Sequence, residues 1–159
     1  MWDMKRRAVL VSVPLFASTA GCIGLEQLNS ESSSSDERID ERGTMEITIN
    51  GSEVDLTEDR FQAEYADEYA MEFHFHAFDE YWYMEGFERV SFAEAIDHIP
   101  YFEYTTEEGE PVITHESVYD ARDSGTEIVF RANDERVDPT EYELQDGDHL
   151  EVEITTDDE

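Results

Sequence analysis

The feature that most constrains this chain is a repeated two-residue alternation of apolar and polar side chains. Met45-Glu46-Ile47-Thr48-Ile49, Met71-Glu72-Phe73-His74-Phe75-His76-Ala77 and His149-Leu150-Glu151-Val152-Glu153-Ile154 all carry it. A period of two places alternate side chains on opposite faces of a strand, so these runs predict half-buried β-structure. Turn chemistry falls between them. Asn50-Gly51, Asp79-Glu80, Glu107-Glu108-Gly109, Asn133-Asp134 and Asp146-Gly147 separate apolar runs and predict tight connections. One segment has helical spacing instead. Ser91 and Glu94 form a capping-box pattern, Phe92, Ala95, Ile96 and Ile99 form a stripe, and Pro100 ends it. A shorter helix is predicted after Thr57, with Phe61, Tyr65 and Tyr69 on one face. The predicted class is α+β: a small mixed sheet of hairpins with one main helix packed across it.

The predicted domain spans residues 44–156, with an acidic tail at 157–159. It has to stand on its apolar core, because Cys22 is the only cysteine and no internal disulfide can form. A chain of that length can bury such a core.

Charge narrows the partners. The chain holds 42 acidic and 10 basic residues, a net charge of −32. The acids are spread along the sequence, as on a solvated surface, and not blocked as in an interaction tail. Such a charge is self-repelling in dilute salt and screened at molar salt, where the Debye length falls to about 3 Å. A halophilic acidic surface is the expectation. Nucleic acid is excluded as a partner, because phosphate contacts need clustered Lys and Arg and the arginines here stand apart among acids.

The N-terminal segment reads as an export signal. Lys5-Arg6-Arg7 precedes an uncharged run from Ala8 to Ala20, which closes on Thr19-Ala20-Gly21-Cys22. The paired arginines resemble a twin-arginine signal, with Lys5 where Ser or Thr is usual. Thr-Ala-Gly-Cys resembles a lipobox, with Thr19 in place of leucine. Together they resemble the start of a haloarchaeal lipoprotein precursor. The resemblance implies a signal peptide at 1–21, lipidation at Cys22 and an exported protein anchored to the outer face of the cytoplasmic membrane. An uncleaved helical anchor is the alternative. Residues 22–43, with Ser30-Glu31-Ser32-Ser33-Ser34-Ser35-Asp36, read as a disordered Ser-rich acidic tether.

Two further patterns stand out. The stretch from Ile47 through Asn50-Gly51 to Val54-Asp55-Leu56-Thr57-Glu58 echoes Val129 through Asn133-Asp134 to Val137-Asp138-Pro139-Thr140-Glu141, allowing one inserted residue. Shared turn chemistry or a duplicated hairpin would each produce it. Tyr142-Glu143-Leu144-Gln145-Asp146-Gly147-Asp148-His149-Leu150-Glu151-Val152 resembles the final turn and strand of β-grasp, ubiquitin-like domains. The resemblance implies a β-grasp-like fold but no carrier chemistry, since the chain ends Thr156-Asp157-Asp158-Glu159 where the carriers end Gly-Gly.

Candidate functional residues cluster in residues 71–85. His74 and His76, with Glu72 on the same predicted face, form a set that can ligate zinc, copper or iron. A third imidazole could come from His98, His115 or His149. The alternative is a solvated or Tyr-packed histidine face. Tyr81, Trp82 and Tyr83 form a candidate recognition surface, aromatic side chains being the usual anchors of one. No Gly-x-Ser-x-Gly, catalytic cysteine or phosphate-cradling glycine loop occurs. The leading expectation is therefore a lipid-anchored surface domain that binds a protein or small-molecule ligand without catalysis and without a cofactor. The alternative is a Zn or Cu protein, or a metal-dependent enzyme, centred on His74 and His76.

Overall fold

The computed structural model describes residues 37–157. The signal-like segment, Cys22 and the tether up to residue 36 lie outside them, as do the last two acids of the tail.

The alternating runs pair into two sheets. Strand β1 (Glu41–Ile49) lies at the centre of the larger one, parallel to the closing strand β10 (His149–Thr155). On its other side runs β4 (Tyr81–Met84), antiparallel, followed by the short β3 (His74–Phe75). Beyond β10 come β8 (Glu127–Ala132) and β9 (Glu135–Arg136), and β2 (Ser52–Glu53) folds back on β1. Strands β5 (Glu103–Glu107), β6 (Glu110–His115) and β7 (Ser117–Asp120) make a separate antiparallel sheet. Among the described residues the one α-helix, α1, spans Phe92–Asp97. The class is α+β, as expected. Among the described residues no helix is long and apolar enough to cross a membrane.

Helix α1 follows its sequence signals. Ser91 Oγ accepts from the Glu94 N–H, and the Glu94 carboxylate accepts from the Ser91 N–H at 2.7 Å, so two end groups of the helix are satisfied reciprocally. Phe92, Ala95 and Ile96 face inward, with Phe92 edge-to-face on Phe130 at 5.6 Å. The core gathers alternate residues of the central strands: Ile47, Leu150, Val152, Ile154 and Phe130, joined by Phe73, Phe75, Trp82 and Met84. Each large apolar side chain fully removed from water there contributes about 1.5–3 kcal/mol relative to exposure.

Gly43 is set by two neighbours, the Asp148 backbone carbonyl oxygen and the Trp82 ring. It lies opposite Trp82 in the β1–β4 register, and a Cβ at this position would stand 2.6 Å from the indole. Only glycine leaves room for that ring. The chain expected to be tether is therefore strand from Glu41 onward. Glu41 pairs across to Met84 and receives both amino groups of Arg89, which anchors the strand's first residue.

The helix expected after Thr57 is a single 3₁₀ turn, Asp59–Phe61. Phe61 is buried but Tyr65 and Tyr69 are exposed. Gln62 adopts an extended conformation and bridges to Phe75, while its side-chain amide donates to the Leu56 carbonyl. Pairing with Phe75 pulls the chain out of the helical path after one turn.

The echo between the two hairpins is carried into the structure without an insertion. Thr48 pairs with Glu53 and Ile49 with Ser52; Arg131 pairs with Arg136 and Ala132 with Glu135. Asn50-Gly51 and Asn133-Asp134 all have positive φ, the geometry of a two-residue turn matched to strand twist. Val54 N–H donates to Ile47 and Val137 N–H to Phe130. Asp55 Oδ1 then accepts from the N–H and hydroxyl of Thr57, and Asp138 Oδ1 does the same with Thr140. Ile47 therefore corresponds to Phe130, one residue later than the sequence alignment with Val129 implied.

Candidate metal centre

His74 and His76 flank Phe75 at the edge of the larger sheet. Alternation buries Phe75 and Phe73 in the core and leaves the two imidazoles together on the other side. The His74 side chain is almost fully buried, the His76 side chain partly exposed. Their Nε2 atoms are 3.2 Å apart.

The partners of the other ring nitrogens decide what that distance means. His74 Nδ1 lies 3.1 Å from the Ala70 carbonyl oxygen. His76 Nδ1 lies 2.7 Å from Glu64 Oε1. A carbonyl and a carboxylate only accept, so each Nδ1 carries the proton and each neutral ring presents a bare lone pair at Nε2. Two lone pairs then face each other across a hydrogen-bond distance. Only a cation between them, a proton or a metal ion, makes that arrangement favourable.

A carboxylate completes the group. Glu85 Oε2 is 3.6 Å from His74 Nε2, and one donor atom each from His74, His76 and Glu85 lie within 4.8 Å of one another. For tetrahedral zinc with bonds of about 2.0–2.1 Å, neighbouring donor atoms stand about 3.3–3.4 Å apart. The imidazole pair matches that edge closely. Glu85 is held in place by Arg38, whose Nε donates to the Glu85 carbonyl at 3.0 Å and whose Nη2 lies 3.8 Å from the carboxylate.

The surroundings orient the donors. Glu64 binds His76 through one oxygen and accepts from the Ala77 N–H through the other at 3.0 Å. Burial pushes the Glu64 carboxyl up, but its hydrogen bonds with His76 and nearby backbone N–H groups outweigh this and hold it below the usual value. Rings enclose the group: Tyr69 lies 5.1 Å from His74, Phe78 stacks on His76 at 4.9 Å, and Tyr83 packs edge-on against His76 at 4.9 Å. The Tyr83 phenol donates to Asp79 at 2.5 Å, and that bond raises its pKa. Burial, and then the neighbouring His76, lower the His74 pKa, which favours the neutral, ligating form of that ring.

Glu72 does not join this group. Met71 and Glu72 form a turn, which breaks the alternation that would have put Glu72 beside His74. The Glu72 side chain packs instead against Gly86. Glu85 takes the place foreseen for it, and the hairpin register carries the signal. His74 pairs with Tyr83, so Glu85, two residues further along β4's line, falls on the same face.

None of the other histidines converges here. His115 is buried, stacks flat on Phe102 at 4.0 Å, and has Nδ1 3.2 Å from the Tyr101 carbonyl. His149 Nδ1 meets Thr44 Oγ1 at 2.8 Å, and His98 is the C-cap of α1.

The recognition surface foreseen at Tyr81, Trp82 and Tyr83 needs correction. Tyr81 is exposed and Tyr83 half-buried, but Trp82 lies in the core, donating its indole N–H to the Thr44 carbonyl at 3.2 Å. The same alternation that exposes Tyr81 sends Trp82 inward.

The chain matches no protein-family model, no curated protein and no solved structure.

Proposed function

We propose that this domain binds one divalent transition-metal ion through His74, His76 and Glu85. The carrying observation is the pair of Nε2 atoms 3.2 Å apart, with both Nδ1 positions committed to acceptors. Two imidazoles and a carboxylate suit zinc or copper. The partial exposure of His76 and Glu85 leaves the ion reachable from solvent. Metal capture is the activity this supports, in a protein held outside the cell by a lipid on Cys22 and adapted by its acidic surface to high salt. A β-grasp-like fold is part of the same reading. It is supported by the parallel pairing of the first and last strands at the sheet centre, with antiparallel neighbours on both sides.

Equilibrium dialysis of the full chain against Zn²⁺ tests the proposal, in molar salt with excess Mg²⁺ to occupy surface carboxylates. One tightly held zinc, lost in the H74A/H76A double variant, is expected. Equal zinc retention by the variant, or none by the wild-type chain, refutes it.

Capture of a protein partner is a second reading. It is favoured by the exposed rings of Tyr69, Phe78 and Tyr81 around the same cluster.

A further inference from the structure

A second site lies at the seam between the two sheets and shares no residue with the histidine cluster. A cleft of about 600 Å³ opens there, within the size range of small-molecule sites. Its apolar walls come from Tyr104, Pro111, Ile128, Phe130, Val137 and Pro139. Ile128 and Phe130 are almost fully buried and form the floor. Tyr104 stands edge-on to Phe130 at 6.1 Å, and burial pushes its phenol pKa up.

Two charges of opposite sign stand at the rim, Arg136 and Asp138. They are two residues apart, so their Cα atoms lie at most about 7 Å from each other. Neither charge is fully spent. Arg136 gives Nη2 to Glu127 at 3.2 Å, and both side chains of that pair are about two-thirds exposed. Such a screened pair is worth at most about 1 kcal/mol and yields readily to a better carboxylate partner. Asp138 uses Oδ1 for the N–H and hydroxyl of Thr140, bonds that also hold its pKa below the usual value and keep it ionised. The Glu141 backbone N–H is a third donor to this carboxylate, whose two oxygens offer about four acceptor positions, so room for one more donor remains. On a chain of net charge −32, a cleft with one arginine and one aspartate side by side is matched to a ligand carrying both signs.

We propose that this cleft binds a free α-amino acid with a large apolar side chain. Its carboxylate pairs with Arg136, its ammonium group with Asp138, and its side chain lies against Tyr104, Ile128 and Phe130. The echoing hairpin shows why the site is particular to this end of the molecule. Where Arg136 and Pro139 stand here, that hairpin has Glu53 and Leu56, so the same turn carries no cation there.

The test uses the full chain, with L-tryptophan as probe, and indole-3-propionate and tryptamine as analogues keeping only the negative or only the positive charge. Isothermal titration should show saturable L-tryptophan binding, about tenfold tighter than either analogue. R136Q should bring L-tryptophan down to the level of tryptamine, and T106W, an exposed strand position at the mouth, should block all three probes while leaving the circular dichroism unchanged. Equal affinity for the three probes, indifference to both variants in folded protein, or no saturable binding below about 10 mM each overturns the proposal.

Discussion

His74 and His115 begin alike and end differently. Both are buried to the same degree, and each sets Nδ1 against a backbone carbonyl oxygen. What differs is the far side of the ring. His115 lies flat on Phe102 and close to Phe61, packed as an aromatic side chain in the core. His74 turns Nε2 toward a second imidazole and a carboxylate. Burial alone therefore does not mark a functional histidine. The distinguishing feature is an unprotonated ring nitrogen aimed at other donors, with the rest of the ring's hydrogen bonding already spent.

H115A should cost about 2–5 kcal/mol in denaturant unfolding, the range for deleting a buried aromatic or large apolar group, and leave zinc affinity unchanged. H76A should do the reverse, because the His76 side chain is partly exposed. Similar stability losses in both would erase the distinction.

A smaller effect sharpens the metal side. Glu64 touches His76 without belonging to the donor set, so E64Q should lower zinc affinity by about 10–100-fold while leaving the chain folded. An unchanged affinity would show that Glu64 does not set the tautomer of His76.

The smallest effect is the pH response of the metal-free protein. The His74 pKa is lowered in the fold, so the unfolded chain takes up a proton that the folded chain resists. Stability from this group is full above the ordinary histidine value of about 6.5 and falls as pH drops through it. The difference in unfolding free energy between wild type and H74N should therefore shrink toward acid. A difference that grows instead contradicts the assignment.

These sites were legible in the sequence to different degrees, for a physical reason. A period of two is local, so the strands, the capping box at Ser91 and the pairing of His74 with His76 could be read directly. The loss of Glu72 was not legible, because one turn at Met71-Glu72 undoes an alternation that the residue pattern continues. Glu85 was within reach once His74 was set opposite Tyr83. Glu64 was not, since it arrives through the bridge between Gln62 and Phe75, the same contact that ended the helix expected after Thr57. Trp82 illustrates the opposite error. Its aromatic character suggested a surface, whereas the glycine opposite it in β1 is what makes room for a buried indole.

The most direct test follows the ring nitrogens themselves. Long-range ¹H–¹⁵N correlation spectra of the histidines, recorded before and after one equivalent of Zn²⁺, report the state of each nitrogen separately. Nε2 of His74 and His76 should shift on binding while both Nδ1 stay protonated, and the His115 ring should be unmoved. Coordination through Nδ1, or a zinc response at His115 with none at His74 and His76, would contradict the proposed centre.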